Sequence, residues 1–185
     1  MKHQYWFWKN FLSIEDRQTI LNHIENNYDF IEKQGLYNDD LKNTEKVKCI
    51  EWQNIKKLNV IDKIIDCMQT TNDNNFGYNL TPFRNRSSFN LTVYSSDTKS
   101  EYKWHTDASS NPYKDIKLTG LINLSTEKYE GGEFQLNYGK EFTIPEFSEG
   151  GDVILFKSHI LHRVLPITKG IRKSLAIFFE GPRFT

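Results

Sequence analysis

The sequence predicts an α+β fold, mainly β, in which a β-sandwich or barrel carries helices on one side. Three observations lead there. Aromatic residues make up 14% of the chain, which suits a β-rich core. Helical periodicity is confined to the first third. From residue 76 onward, short apolar runs alternate with glycine-punctuated turns.

The elements follow in order. Ser13 is placed to cap a helix, with Glu15 and Asp16 in its first turn. Ile14, Ile20, Leu21 and Ile24 recur behind it at helical spacing. VKCIEW (47–52) reads as a strand. A second amphipathic helix is expected from Ile55 to Met68, with Leu58, Ile61, Ile64, Ile65 and Met68 on one face. Both helices are polar on the other side, so they should buttress a sheet. Asn72 to Asn75 form a polar break. Strands are expected near 76–80, 87–95, 101–106, 116–125, 133–138, 141–144, 152–157, 162–167 and 171–180. Gly131-Gly132, Gly139, Gly150-Gly151 and Gly170 punctuate them, the 131–132 pair as a turn with positive φ. No linker or internal repeat is visible. A single domain over 1–185 is expected, with a helical support region (1–75) and a β core (76–185).

Composition narrows the function. Lys+Arg and Asp+Glu both total 24, so no net field draws nucleic acid or an anionic membrane, and neither is expected as a partner. No apolar run approaches the ~20 residues of a membrane span. The N-terminal MKHQYWFWKNFLSIEDR lacks the apolar stretch and cleavage site of a signal peptide, so a cytoplasmic location is expected. Cys49 and Cys67 sit in no metal-binding spacing and are expected to be reduced, buried thiols.

The chemistry starts from YKWHTD (102–107). An HxD pair alone is weak evidence, since either residue serves equally well as an ordinary surface or core side chain. On a strand, however, residues i and i+2 share a face. His105 and Asp107 can therefore present a nitrogen and an oxygen to one point, two of the three donors of a 2-His-1-carboxylate site. Downstream, GDVILFKSHILHRVLPITKGIRKSLAIFFEG (151–181) offers His159 and His162. Pro166 and Gly170 favour a reversal before the last strand. There Arg172 and Ser174 again share a face, and a guanidinium with a hydroxyl suits a buried carboxylate.

HTD, YEGGEF (129–134), GDVILF and HRVLPITKGIRKSL, in that order, resemble the iron(II)- and 2-oxoglutarate-dependent dioxygenases. The likeness covers about 88–181 and is strongest to the prolyl 4-hydroxylase-like branch of bacterial and phage type. It implies a double-stranded β-helix (jelly roll) with the N-terminal helices packed on the major sheet. It implies Fe(II) on His105, Asp107 and His162, with 2-oxoglutarate as co-substrate, O₂, and ascorbate as reductant. Arg172 then matches the residue that pairs with the distal carboxylate. Ser174 matches a secondary contact, and Tyr102 and Tyr94 match tyrosines of the co-substrate pocket. His159 matches nothing. Arg84 and Arg86 are either solvated charges or part of a substrate rim. The implied reaction is hydroxylation of an unactivated C–H in a peptide, protein or small molecule, with a peptidyl prolyl residue favoured. The alternative is a non-enzymatic cupin-like module holding a metal or ligand, which has no need of Arg172.

Overall fold

The computed structural model describes residues 3–27, 41–83, 88–108 and 114–183. The chain opens with β1 (Tyr5–Trp8), α1 (Ile14–Asn27), β2 (Lys42–Asn43) and β3 (Lys46–Glu51). Two helices follow, α2 (Trp52–Ile55) and α3 (Asn59–Thr71), and then a π-helical turn (Asn72–Phe76). The remaining strands are β4 (Ser88–Ser95), β5 (Glu101–His105), β6 (Lys114–Asn123), β7 (Glu130–Gly131) and β8 (Phe134–Asn137). They continue with β9 (Glu141–Thr143), β10 (Val153–Lys157), β11 (Leu161–Val164), β12 (Ile167–Lys169) and β13 (Ile171–Pro182).

These strands form a six-stranded sheet, β1-β10-β6-β13-β4-β3, and a five-stranded sheet, β2-β5-β11-β8-β9, with a small β12-β7 pair beside them. Alternation along β13 shows how the layers are built. Leu175, Ile177 and Phe179 face outward and join Ile20, Leu21, Ile24, Ile61, Ile64, Ile65 and Met68 in one buried cluster. That is the expected helical support of the major sheet. A second cluster, with Phe134, Leu136, Phe156 and Val164, fills the space between the two sheets. The architecture is the double-stranded β-helix expected.

The helix cap at Ser13 is as read. The Asp16 N–H donates to Ser13 Oγ and the Ser13 N–H donates to Asp16 Oδ2, each at 3.1 Å. This is a capping box with aspartate as the returning acid.

Four features differ from the expectation. The second helix is broken: Leu58 is extended (φ −87°, ψ 109°) between α2 and α3. Ile55 and Ile61 are both fully buried, yet six residues on one helix would point them about 120° apart. The break lets both reach the core. No strand forms at 77–83. Instead, the Asn72 side chain accepts from the Tyr78 N–H and donates to the Tyr78 carbonyl, at 3.0 and 2.9 Å, and uses up the groups a ladder would need. The segment before residue 76 also supplies β1 and β2, one to each sheet. Finally, Cys49 is exposed and Cys67 half-buried, both free. Cys49 alternates with the buried Lys48 and Ile50 on β3, so strand parity turns its thiol to solvent.

Candidate active site

β5 and β11 are neighbours in the five-stranded sheet, and their register sets His105 directly opposite His162. Asp107 lies two residues beyond His105, past the end of β5. Its N–H donates to Ser158 O at 3.0 Å, in the turn between β10 and β11. The three side chains converge so that one ligand atom from each lies within 4.8 Å of the others.

Hydrogen bonds fix which atoms converge. Nδ1 of His105 is 2.7 Å from Lys103 O, and Nδ1 of His162 is 2.9 Å from Ile160 O. A carbonyl only accepts, so each Nδ1 carries the proton. In a neutral ring that leaves a bare lone pair on each Nε2. These point toward Asp107: His105 Nε2 is 3.7 Å from Oδ1 and His162 Nε2 is 3.2 Å from Oδ2. Acceptors facing one another at such distances, in a site whose side chains are at most 15% exposed, favour a cation between them. Two imidazoles and a carboxylate suit a divalent first-row metal.

The electrostatics agree. Burial, with a smaller push from His162, lowers the His105 pKa to about 4. The ring is therefore neutral, as a ligand must be. For Asp107, burial acts to raise the pKa. The neighbouring imidazoles of His162 and His105, with the Thr119 hydroxyl, outweigh it and leave the group below its ordinary value.

The triad stands in the wall of a cavity of about 80 Å³, lined also by Lys42, Thr92, Tyr94, Tyr102 and Ser174. Tyr102 stacks on His105, with ring centroids 3.5 Å apart. Tyr94 lines the cavity, and burial raises its pKa to about 12 against a lowering influence from Arg172. It therefore keeps its proton. The turn that follows Tyr94 closes compactly, with the Ser100 N–H donating to Ser95 O at 2.9 Å.

Arg172 is the most unusual residue of the fold. It faces Tyr94 in register across β4 and β13, one row along from Ser174, and is 0% exposed. Its guanidinium carbon lies 5.4 Å from the ring centroids of both Tyr94 and Phe147. Among the described residues, none accepts a hydrogen bond from its three nitrogens. It does not line the cavity itself but stands next to Tyr94, which does. Gly131 and Gly132 take φ of 78° and 70°, as the turn requires. A Cβ on Gly132 would lie 3.1 Å from Arg172 Cδ.

His159 is exposed on the turn before β11, outside the triad. Arg84 and Arg86 lie outside the described residues. Two residues at the site were not anticipated. Lys42, on β2, has Nζ 3.4 Å from Thr92 Oγ1 and 4.8 Å from the Tyr102 ring centroid. Burial, opposed by Asp107, lowers its pKa to about 8. Thr119, on β6, donates to Asp107 Oδ2 at 2.8 Å. A polar residue inside the apolar run KLTGLINL was the visible signal for Thr119. For Lys42 there was none.

Comparison with known proteins bears on this geometry. Residues 89–180 match the model of the 2OG-Fe(II) oxygenase superfamily. This chain belongs to that superfamily. A PKHD-type hydroxylase of Synechococcus sp. is 33% identical over 93 residues, 47% of this chain and 40% of that protein. The shared region is thus under half the length of this curated relative. Among solved structures, a Pseudomonas putida prolyl-4-hydroxylase superposes with a TM-score of 0.71 at 14% identity. The match covers 100% of this chain and 95% of that one. A Trichoplax adhaerens prolyl hydroxylase, in complex with a peptide fragment of the hypoxia inducible factor oxygen degradation domain, gives 0.70 at 16% identity. There the coverage is 96% of this chain and 84% of that one. At these identities the structural likeness carries the fold. The superfamily also implies Fe(II), 2-oxoglutarate and O₂. Among the described residues, no helix of this oxygenase is long and apolar enough to cross a membrane.

Proposed function

We propose that this oxygenase is an Fe(II)/2-oxoglutarate-dependent hydroxylase, acting as a single domain over 1–185. The observation that carries the reading is Arg172, a wholly buried guanidinium without a hydrogen-bond partner in the described structure. Burying such a charge costs several kcal/mol unless an anion meets it. A dicarboxylate co-substrate supplies that anion, whereas a plain metal module needs none.

In this reading His105, Asp107 and His162 hold Fe(II) and leave the other positions open. When bound, Fe(II) with 2-oxoglutarate and O₂ supplies an oxidative decarboxylation that yields succinate, CO₂ and one oxygen atom for a C–H bond. The chain's own part is orientation. Arg172 takes the distal carboxylate through its planar fork. The protonated Tyr94 and the Ser174 hydroxyl are donors beside it. Tyr102 packs against His105 and holds that ring in plane. The apolar packing of Phe134, Phe156 and Val164 excludes water.

For the prime substrate we propose a peptide, with a prolyl side chain as the oxidised group. The names of the related hydroxylases support this. Ascorbate is the proposed reductant. The free thiols Cys49 and Cys67 support a reducing, cytoplasmic setting.

The test is anaerobic addition of Fe(II) and then 2-oxoglutarate to the metal-free protein. A weak visible charge-transfer band that needs both additions is expected. Absence of the band, with Zn(II) tightly retained and no effect of 2-oxoglutarate, would sink the hydroxylase and favour a binding module. A peptide and metabolite screen read by succinate release then identifies the substrate.

A further inference from the structure

Thr119 sits on β6 in the major sheet, with Phe156 on β10 and Phe178 on β13 as its register partners. It is 0% exposed. At a strand position of that kind, valine would fill the same volume with no polar group to satisfy. A buried hydroxyl is tolerated only when it is paired. Here its partner is Asp107 Oδ2 at 2.8 Å, reached across the interior from the other sheet.

Asp107 needs such a tie. It lies past the end of β5, where no ladder orients it, and its N–H is held by Ser158 O. That bond fixes the backbone but leaves the carboxylate free to rotate. The Thr119 hydroxyl occupies part of one carboxylate oxygen and so sets the plane of the group. In a 2-His-1-carboxylate site a carboxylate that uses one oxygen leaves the most positions open. A second oxygen on the metal would consume a position that the co-substrate or O₂ requires.

We propose that Thr119 is a positioning residue that holds Asp107 as a one-oxygen ligand, which sets both the metal affinity and the number of open positions. The inference rests on reading His105, Asp107 and His162 as the metal triad.

The probe is Co(II) alone, titrated without co-substrate into the full chain and followed by its visible absorption. Thr119→Val should weaken Co(II) about 10- to 100-fold, the usual loss when a group orienting a ligand is removed. It should also change the intensity pattern of the Co(II) bands, because the carboxylate can then turn to give both oxygens. Thr119→Ser, which keeps the hydroxyl, should restore affinity and spectrum. Unchanged affinity and spectrum in folded Thr119→Val would overturn the proposal. So would a Thr119→Ser protein as defective as Thr119→Val, since the lost methyl packing would then be the cause. If Thr119→Val does not fold, Thr119→Ala against Thr119→Ser gives the same comparison. Failure of the triad reading looks different: wild type would not bind Co(II) one to one, or His105→Ala would bind it equally well, and the proposal would fall with it.

Discussion

Arg172→Met should have two opposite effects, one on the empty protein and one on its ligand. The guanidinium is fully buried between two aromatic rings with no acceptor among the described residues. Methionine matches much of its length and brings no charge. Replacing a buried charged group by a well-packed apolar one is often neutral, or stabilising by roughly 1–4 kcal/mol. For a chain of this size each kcal/mol is worth about 2–4 °C in melting temperature. The metal-free, ligand-free variant should therefore melt no lower than wild type, and by this reasoning several degrees higher. Binding should move the other way. Removing one side of a desolvated charge pair costs about 2–5 kcal/mol, or about thirtyfold to several-thousandfold in affinity for 2-oxoglutarate. Metal affinity without co-substrate should be unchanged, because Arg172 is not in the triad. The assay pairs a thermal melt of the empty protein with calorimetric titration of 2-oxoglutarate into the Zn(II)-loaded protein. Arg172→Lys should recover part of the binding, since a point charge remains while the fork is lost. A folded Arg172→Met with an unaltered 2-oxoglutarate titration would refute the anchor. A large fall in melting temperature would refute the claim that the empty site is strained by an uncompensated charge.

Further outcomes follow from the same geometry. His105→Ala, Asp107→Ala and His162→Ala should each abolish metal-dependent succinate release and stoichiometric metal binding, while His159→Ala should keep both; loss of activity only in His159→Ala would mean the wrong histidine has been chosen. Gly132→Ala should cost about 1–3 kcal/mol, because φ of 70° strains any side chain and the new Cβ would clash with Ile167 Cδ1. It should also weaken 2-oxoglutarate more than metal through Arg172, and equal loss of the two would refute the link. For Lys42 the folded pKa of about 8 lies below the ordinary 10.5. Below pH 8 both folded and unfolded states carry the charge and the folded state bears its full burial cost. Between pH 8 and 10.5 only the unfolded state keeps the proton, so stability of the empty protein should rise with pH, by at most about 3 kcal/mol. Lys42→Met should lack that rise, and parallel melting profiles for the two proteins across this window would contradict it.

The sequence alone was enough to propose where the chemistry lies. Strand parity put Arg172 and Ser174 on one face of β13, because a period of two follows from backbone geometry and needs no partner, whereas Asp107 lies past the end of β5 and meets His105 through contacts with Ser158 and Thr119. Helical spacing and a capping residue located α1 for the same local reason. The resemblance then chose His162 over His159. The rest depended on contacts between distant segments. Whether His105 faces His162 is a matter of register between β5 and β11, which neither strand carries in itself. β2 exists only by pairing with β5, so two residues of unremarkable polarity bring Lys42 to the cavity. Thr119 meets Asp107 because the major sheet folds over the minor one, and nothing in the spacing of 107 and 119 requires it. That Arg172 meets no acceptor among the described residues is likewise a property of the closed sandwich: sequence supplies the charge, but only the packing of Tyr94 and Phe147 around it buries that charge away from solvent.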